Sequence, residues 1–299
     1  MKILGIDPEK CTNCGQCVKV CPSRLYNSVA EPEKNKLRVA FADSYNLCVR
    51  CGHCIAICPT EAILFEDADE PLNFEGTKQL EKLIPYETML QALRMRRSIR
   101  LFKDQVVEKE EITKVLEAMR YAPSASNRQN WRYVVLTNKE EIAFLSREVS
   151  RFFKTARKLL PFKILIAPFL SPGTRRRALN PKTKITLDRE LARLENGEDI
   201  IFFNAPCVIL HYSRDYPNGL ADNDAGIALT YGMLAAQSLG LGSCWIGFAQ
   251  IRLQKKRKLQ KHFAIPKGYK VRGVLILGYP AIRYLRAPPR SPLRVRWIE

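Results

Sequence analysis

Long apolar runs are absent from this chain of 299 residues. The longest, such as residues 205–210 and 274–277, fall far short of the ~20 that a membrane-spanning helix requires, so no transmembrane segment is expected. Residues 1–7 read as a short strand and lack both the apolar core of about 7 to 15 residues and the cleavage site of a secretory signal. The expectation is a cytoplasmic protein. No Gly-x-Gly-x-x-Gly follows a strand-like segment, which removes the usual sign of a dinucleotide-binding domain. A recognised nucleic-acid-binding motif is equally missing, so nucleic acid is not an expected partner although the formal charge is +19. The basic excess is dense across residues 147–184, as a solvated surface or as a docking place for an acidic electron carrier or an anionic surface. Hydrophobic residues still make up 46% of the chain, enough for a sizeable core, and the length suits two domains better than one.

Cysteine, by contrast, is plentiful. Eight of the ten crowd into positions 11–58 as two matching sets: Cys11, Cys14, Cys17 and Cys21 before Pro22, then, 37 positions later, Cys48, Cys51, Cys54 and Cys58 before Pro59. Such an internal repeat implies two similar half-domains. Three thiolates at two-residue gaps wrap one loop around three corners of an iron–sulfur cubane, and thiolates suit soft iron. Gly15 and Gly52 leave the backbone free to approach the inorganic sulfurs and to offer them amides. Structural zinc is the competing reading, yet it leaves the third cysteine of each set and the paired Cys-Pro endings unexplained. A disulfide framework belongs to oxidising compartments. Cys207, outside both sets in an apolar run, reads as a small core residue. Over about 65 residues the pattern resembles bacterial two-cluster ferredoxins, with no ligand missing. The resemblance implies two [4Fe-4S] clusters with crossed ligands, Cys11, Cys14, Cys17 and Cys58 on one, Cys48, Cys51, Cys54 and Cys21 on the other.

Strands are expected at residues 37–42 and 62–65, and a linker at 67–85, rich in acidic residues and containing Pro71 and Gly76. Beyond it the pattern changes to longer helices separated by single strands. Ile112, Val115, Leu116 and Met119 mark an amphipathic helix that ends by Pro123. Residues 131–136 and 206–212 read as strands, and 221–239 as a helix of small residues closed by Gly240. The nearly continuous apolar run 271–277 reads as a central strand buried on both faces. The polar insert at about 170–200 shows no periodicity and is read as a mobile cap or loop.

Three segments of this second part carry chemistry. Residues 94–100, Arg-Met-Arg-Arg-Ser-Ile-Arg, end a helix with arginines and a hydroxyl suited to phosphate. Residues 122–131, Ala-Pro-Ser-Ala-Ser-Asn-Arg-Gln-Asn-Trp, run from a helix into a strand, and residues 240–248, Gly-Leu-Gly-Ser-Cys-Trp-Ile-Gly-Phe, follow the small-residue helix. Together with the tail from Leu277-Gly278-Tyr279-Pro280 to Pro288-Pro289-Arg290, they resemble the nitroreductase family of FMN flavoproteins over residues 86–299. By that resemblance Arg96, Arg97, Ser98 and Arg100, with Arg290 returning from the tail, bind the FMN phosphate. Ser124, Ser126, Asn127 and Gln129 line the flavin from the second subunit of a homodimer, and Cys244, Trp245, Ile246 and Gly247 back its ring. No catalytic residue is singled out; Tyr212, Tyr231 and Cys244 are the candidate proton donors.

The expectation is an α+β chain: a two-cluster ferredoxin-like domain at 1–66, the linker at 67–85, and a nitroreductase-like α+β FMN domain at 86–299. The clusters would pass electrons from reduced ferredoxin or another donor to FMN, for reduction of a nitroaromatic compound or an activated double bond. An electron-transfer module between ferredoxin and a partner protein, and a cluster-based redox sensor, remain the alternatives.

Overall fold

The repeat in the cysteine sets is also a repeat in the backbone. A short strand β1 (Lys2–Ile6) leads to the first set, whose helix α1 (Gln16–Val20) is followed by the hairpin β2 (Tyr26–Glu31) and β3 (Lys36–Phe41). The second set carries α2 (His53–Ile57) and runs into β4 (Ile63–Glu66), which pairs antiparallel with β1. Gly15 and Gly52 precede the two helices with φ of 68° and 74°, left-handed angles at which a Cβ is strained. Ile3, Tyr26, Val39, Cys54 and Ile63 form a small apolar core between these elements.

The computed structural model describes residues 1–31, 36–74, 79–217 and 219–299. They form two units, Met1–Pro85 with Ser124–Gln129, and Tyr86–Pro123 with Asn130–Glu299. Gly76 of the expected linker lies outside the described residues; α3 (Leu80–Leu83) lies at its end.

In the second unit the chain forms α4 (Tyr86–Met95), α5 (Lys109–Arg120), β5 (Arg132–Leu136) and the long α6 (Lys139–Leu159). Then come α7 (Lys163–Ile166), α8 (Pro172–Leu179), α9 (Lys182–Glu195), β6 (Cys207–Arg214) and α10 (Ala221–Ser238). The order closes with β7 (Gly242–Trp245), α11 (Gly247–Lys255), α12 (Arg257–His262) and β8 (Tyr269–Gly278). Four strands make one antiparallel sheet in the order β5-β6-β8-β7. The apolar run that reads as a central strand is β8, flanked by β6 and β7.

Alternation along β6 and β8 divides the core between the sheet's two faces. Cys207, Ile209, Leu275 and Leu277 share one cluster with Val115 and Met119 of α5 and Leu229 of α10. Val208, Leu210, Val274 and Ile276 share the other with residues of α6, α9, α11 and α12. Small residues on α10 let α5 come close: a Cβ at Gly232 would stand 2.7 Å from Met119 Cγ. Burying such fully enclosed Leu, Ile and Met side chains stabilises the fold by roughly 1.5 to 3 kcal/mol each.

The insert at 170–200 departs from the loop expectation, because it holds α8 and α9. On α9 Leu187 is buried and Leu191 and Leu194 pack beside it, a helical spacing diluted in the sequence by the charged residues between them. Asp199 closes the insert: its carboxylate accepts from the Ser146 hydroxyl of α6 at 2.6 Å and from the amides of Ile201 and Phe202.

Candidate cluster and flavin sites

The two cysteine sets surround two separate hollows. One is lined by Cys21, Cys48, Cys51 and Cys54. The other is lined by Cys11, Cys14, Cys17 and Cys58. Each thus takes three thiols from one loop and the fourth from the Cys-Pro end of the other. Four thiols facing one hollow suit a thiolate-ligated iron–sulfur cluster, so the residues fit the group.

Local physics explains why the Cys-Pro sulfurs face inward. Cys21 and Cys58 are extended, with ψ of 112° and 116°, as a following proline favours. The chain then turns back, so that the Leu25 amide donates to Cys21 Sγ at 3.4 Å and the Ala62 amide to Cys58 Sγ at 3.2 Å. Burial opposes the Cys58 thiolate, but the amides of Ala62 and Thr60 and the Thr60 hydroxyl outweigh it and lower the thiol below its ordinary value. Cys17 and Cys54 are raised, chiefly by burial. Sequence reasoning missed Asp43, whose carboxylate accepts from the amides of Leu47 and Cys48 at 2.6 and 3.2 Å and shapes the second loop. An aspartate a few residues before the first cysteine was the available sign.

Of the flavin segments, two come together in the second unit. The Ile99 amide donates to the Ser243 carbonyl at 3.0 Å, and Ser98 bridges Ser243 in parallel fashion, so residues 98–99 lie along β7. Gly242 permits this approach, because a Cβ there would stand 2.8 Å from Ile99 Cβ. Arg96, Arg97 and Ser98 are half-buried and Arg100 is exposed, its guanidinium 5.8 Å from the Phe203 ring centroid. Arg97 donates to the carbonyls of Arg94 and Arg96. Among the described residues none of Arg94, Arg96, Arg97 or Arg100 has a carboxylate partner, which leaves a positive patch suited to the FMN phosphate.

On the following segment Cys244 and Ile246 are buried, and the Ile246 amide donates to the Val274 carbonyl at 2.8 Å. The Trp245 indole N–H donates to Gln250 Oε1 at 2.8 Å, a partner the sequence did not reveal. Gly247 begins α11. Arg290 lies exposed beyond β8, without a polar contact among the described residues. Of the candidate proton donors, Tyr212 and Cys244 are buried and Tyr231 is 41% exposed.

The remaining segment, Ser124–Gln129, belongs to the first unit. It is a tight turn in which Ser126, Asn127 and Gln129 all have positive φ, and the Gln129 amide donates to Ser124 Oγ at 3.0 Å. Asn127 Nδ2 donates at 2.6 Å to the carbonyl of Arg50, which lies between Cys48 and Cys51.

Fold and donor sets together define a flavoprotein oxidoreductase joined to an iron–sulfur module. Residues 93–279 match the nitroreductase family and residues 10–63 a 4Fe-4S dicluster domain. The chain belongs to the nitroreductase family. It is 28% identical over 194 residues to an Archaeoglobus fulgidus protein provisionally named NADH dehydrogenase/NAD(P)H nitroreductase, covering 65% of this chain and 86% of that one. To the 4-nitrobenzoate reductase of a Nocardioides strain it is 31% identical, over 51% of this chain and 65% of that one. A nitroreductase structure with bound FMN from Desulfitobacterium hafniense overlays with a TM-score of 0.51 at 25% identity, covering 70% of this chain and 97% of that one. The protein is an FMN-dependent, iron–sulfur oxidoreductase of α+β fold. No helix among the described residues is long and apolar enough to cross a membrane.

Proposed function

We propose that the two clusters pass electrons to FMN, which reduces a small acceptor, a nitroaromatic compound or an activated double bond. In this reading the crossed cysteine sets hold the clusters. Arg96, Arg97, Ser98 and Arg100, with Arg290 from the tail, hold the FMN phosphate, while residues 244–247 back the ring and Ser124, Ser126, Asn127 and Gln129 line it within a homodimer. The flavin, when bound, supplies the exchange between one-electron and two-electron chemistry.

The observation that carries the relay is that one chain joins two hollows, each lined by four cysteines, to a nitroreductase-family domain. The nitroaromatic acceptor is supported by the names of the relatives acting on 4-nitrobenzoate and nitrobenzene.

Cys51→Ala in the full-length chain tests the relay by stopped-flow absorbance of the flavin. Reduction of FMN by reduced ferredoxin should slow by tenfold or more, while reduction by a direct hydride donor should persist. An unchanged ferredoxin-driven rate would show that the clusters are not the entry path.

A further inference from the structure

We propose that residues 151–184 form a docking surface for an anionic phospholipid bilayer, a property separate from the redox reading above. The last turns of α6 are followed by short pieces bent at Pro161, Pro168 and Pro172: a turn at Leu160–Phe162, α7, a second turn at Ala167–Phe169, and α8. These pieces hold large apolar side chains out into solvent. Ile164 is 76% exposed, Leu165 72% and Phe169 89%. The segment also carries ten Lys and Arg and no Asp or Glu. Two of the ten, Arg151 and Arg157, pair with Glu148 and Asp188 from outside the segment. The other eight, the Arg175-Arg176-Arg177 run among them, have no carboxylate partner among the described residues.

Protruding aliphatic and aromatic side chains among unpaired lysines and arginines are what an interfacial bilayer site requires, since the apolar groups enter the acyl boundary and the cations meet anionic headgroups. Other occupants fit less well. A second copy meeting this surface across a two-fold axis through its centre would set the same positive patch against itself. A soluble acidic redox partner forms a small, wet contact that gives no use to fully projecting Ile, Leu and Phe. Lysine is also depleted at protein–protein interfaces, whereas Lys154, Lys158, Lys163, Lys182 and Lys184 all lie here.

The test is co-sedimentation of the full-length holoprotein with vesicles of phosphatidylcholine alone or with about 30% phosphatidylglycerol, at low and high salt. Binding to the anionic vesicles should exceed binding to the neutral ones at least tenfold. Ile164→Ser with Phe169→Ser should weaken it about tenfold, and each arginine removed from residues 175–177 by about fivefold. FMN content and circular dichroism should stay as in the wild type, because every changed side chain is exposed. Equal binding to both vesicle types overturns the proposal, as does a failure to sediment with anionic vesicles. Full binding by the Ile164/Phe169 variant would reduce the contact to charge alone and overturn the bilayer site. A drop in oligomeric state in that variant would assign the patch to a second copy instead.

Discussion

Gly242→Ala probes the junction of the two flavin segments most directly. The added methyl would stand 2.8 Å from Cβ and Cγ1 of Ile99 and 2.9 Å from Cγ2. Ordinary carbon contacts begin near ~3.5 Å, so one side must retreat by more than half an ångström. A rotamer change does not relieve this, because Ile99 Cβ is fixed to a backbone whose amide is bonded to the Ser243 carbonyl at 3.0 Å. Overpacking of this kind costs about 1 to 3 kcal/mol, and weakening the Ile99–Ser243 bond adds about 1. At roughly 2 to 4 °C per kcal/mol for a unit of this size, the melting temperature of the flavin unit should fall by about 4 to 16 °C. Ser98 moves with Ile99, so FMN affinity should fall by about ten- to a hundredfold if Ser98 and its neighbouring arginines hold the phosphate. Differential scanning fluorimetry and fluorescence titration of FMN into the apoprotein read the two effects. Gly173→Ala on α8, outside the flavin segments, is the control: nothing lies within 4 Å of its Cβ and its φ is not positive, so it should melt and bind FMN as the wild type. If both alanine variants melt alike and bind FMN alike, the packing argument for this junction is wrong.

Other outcomes follow from the same geometry. Cys51→Ala opens only the hollow lined by Cys21, Cys48, Cys51 and Cys54, so iron should fall from about eight to roughly four per chain; complete loss or full retention by iron assay would contradict two independent ligand sets. Arg97→Ala with Ser98→Ala removes a charge-assisted contact of about 1.5 to 3 kcal/mol and a neutral one near 1, and equal FMN retention on dialysis would mark a solvated helix end instead. Burial, with Arg272 adding to it, pushes the His211 imidazole down to about 4 from 6.5. Above pH 6.5 the ring is neutral folded and unfolded; on acidification the unfolded chain takes the proton first, so up to about 3 kcal/mol is lost between pH 6.5 and 4. His211→Phe should flatten that part of the urea-midpoint curve followed by tryptophan fluorescence, and an unaltered slope would refute the assignment.

What the sequence disclosed and what it hid differ in range along the chain. The cysteine sets were legible because cluster ligation is written at two-residue gaps, and β6 and β8 because a strand covered on both faces has an unbroken apolar run. Helix α5 announced itself through Ile112, Val115 and Met119, all buried. Helix α9 did not, since its three core leucines are spaced correctly but set among charges that swamp the pattern. Strand β7 was hidden differently: Gly242, Ser243, Cys244 and Trp245 have no strand-like alternation, and they are extended because β8 supplies the partner carbonyls and amides.

The least legible features are those that join distant segments. The sequence placed Ser98 and Cys244 in one site only by resemblance; the physical reason for their proximity is a glycine at 242 that allows Ile99 to reach the Ser243 carbonyl. The Asn127–Arg50 bond spans 77 positions and has no local signature at either end. Both residues nevertheless share one trait visible in the backbone, a positive φ at a residue other than glycine, 49° for Asn127 and 56° for Arg50. Such angles cost of order 1 kcal/mol or more and persist where the surroundings fix them. The Arg50 angle is repeated by Asn13 at 58° in the first cysteine loop, so it belongs to the loop that wraps the thiols around the hollow. In that conformation the Arg50 carbonyl accepts from Asn127, so the cysteine spacing, through the loop it imposes, makes the acceptor that a side chain 77 residues away uses.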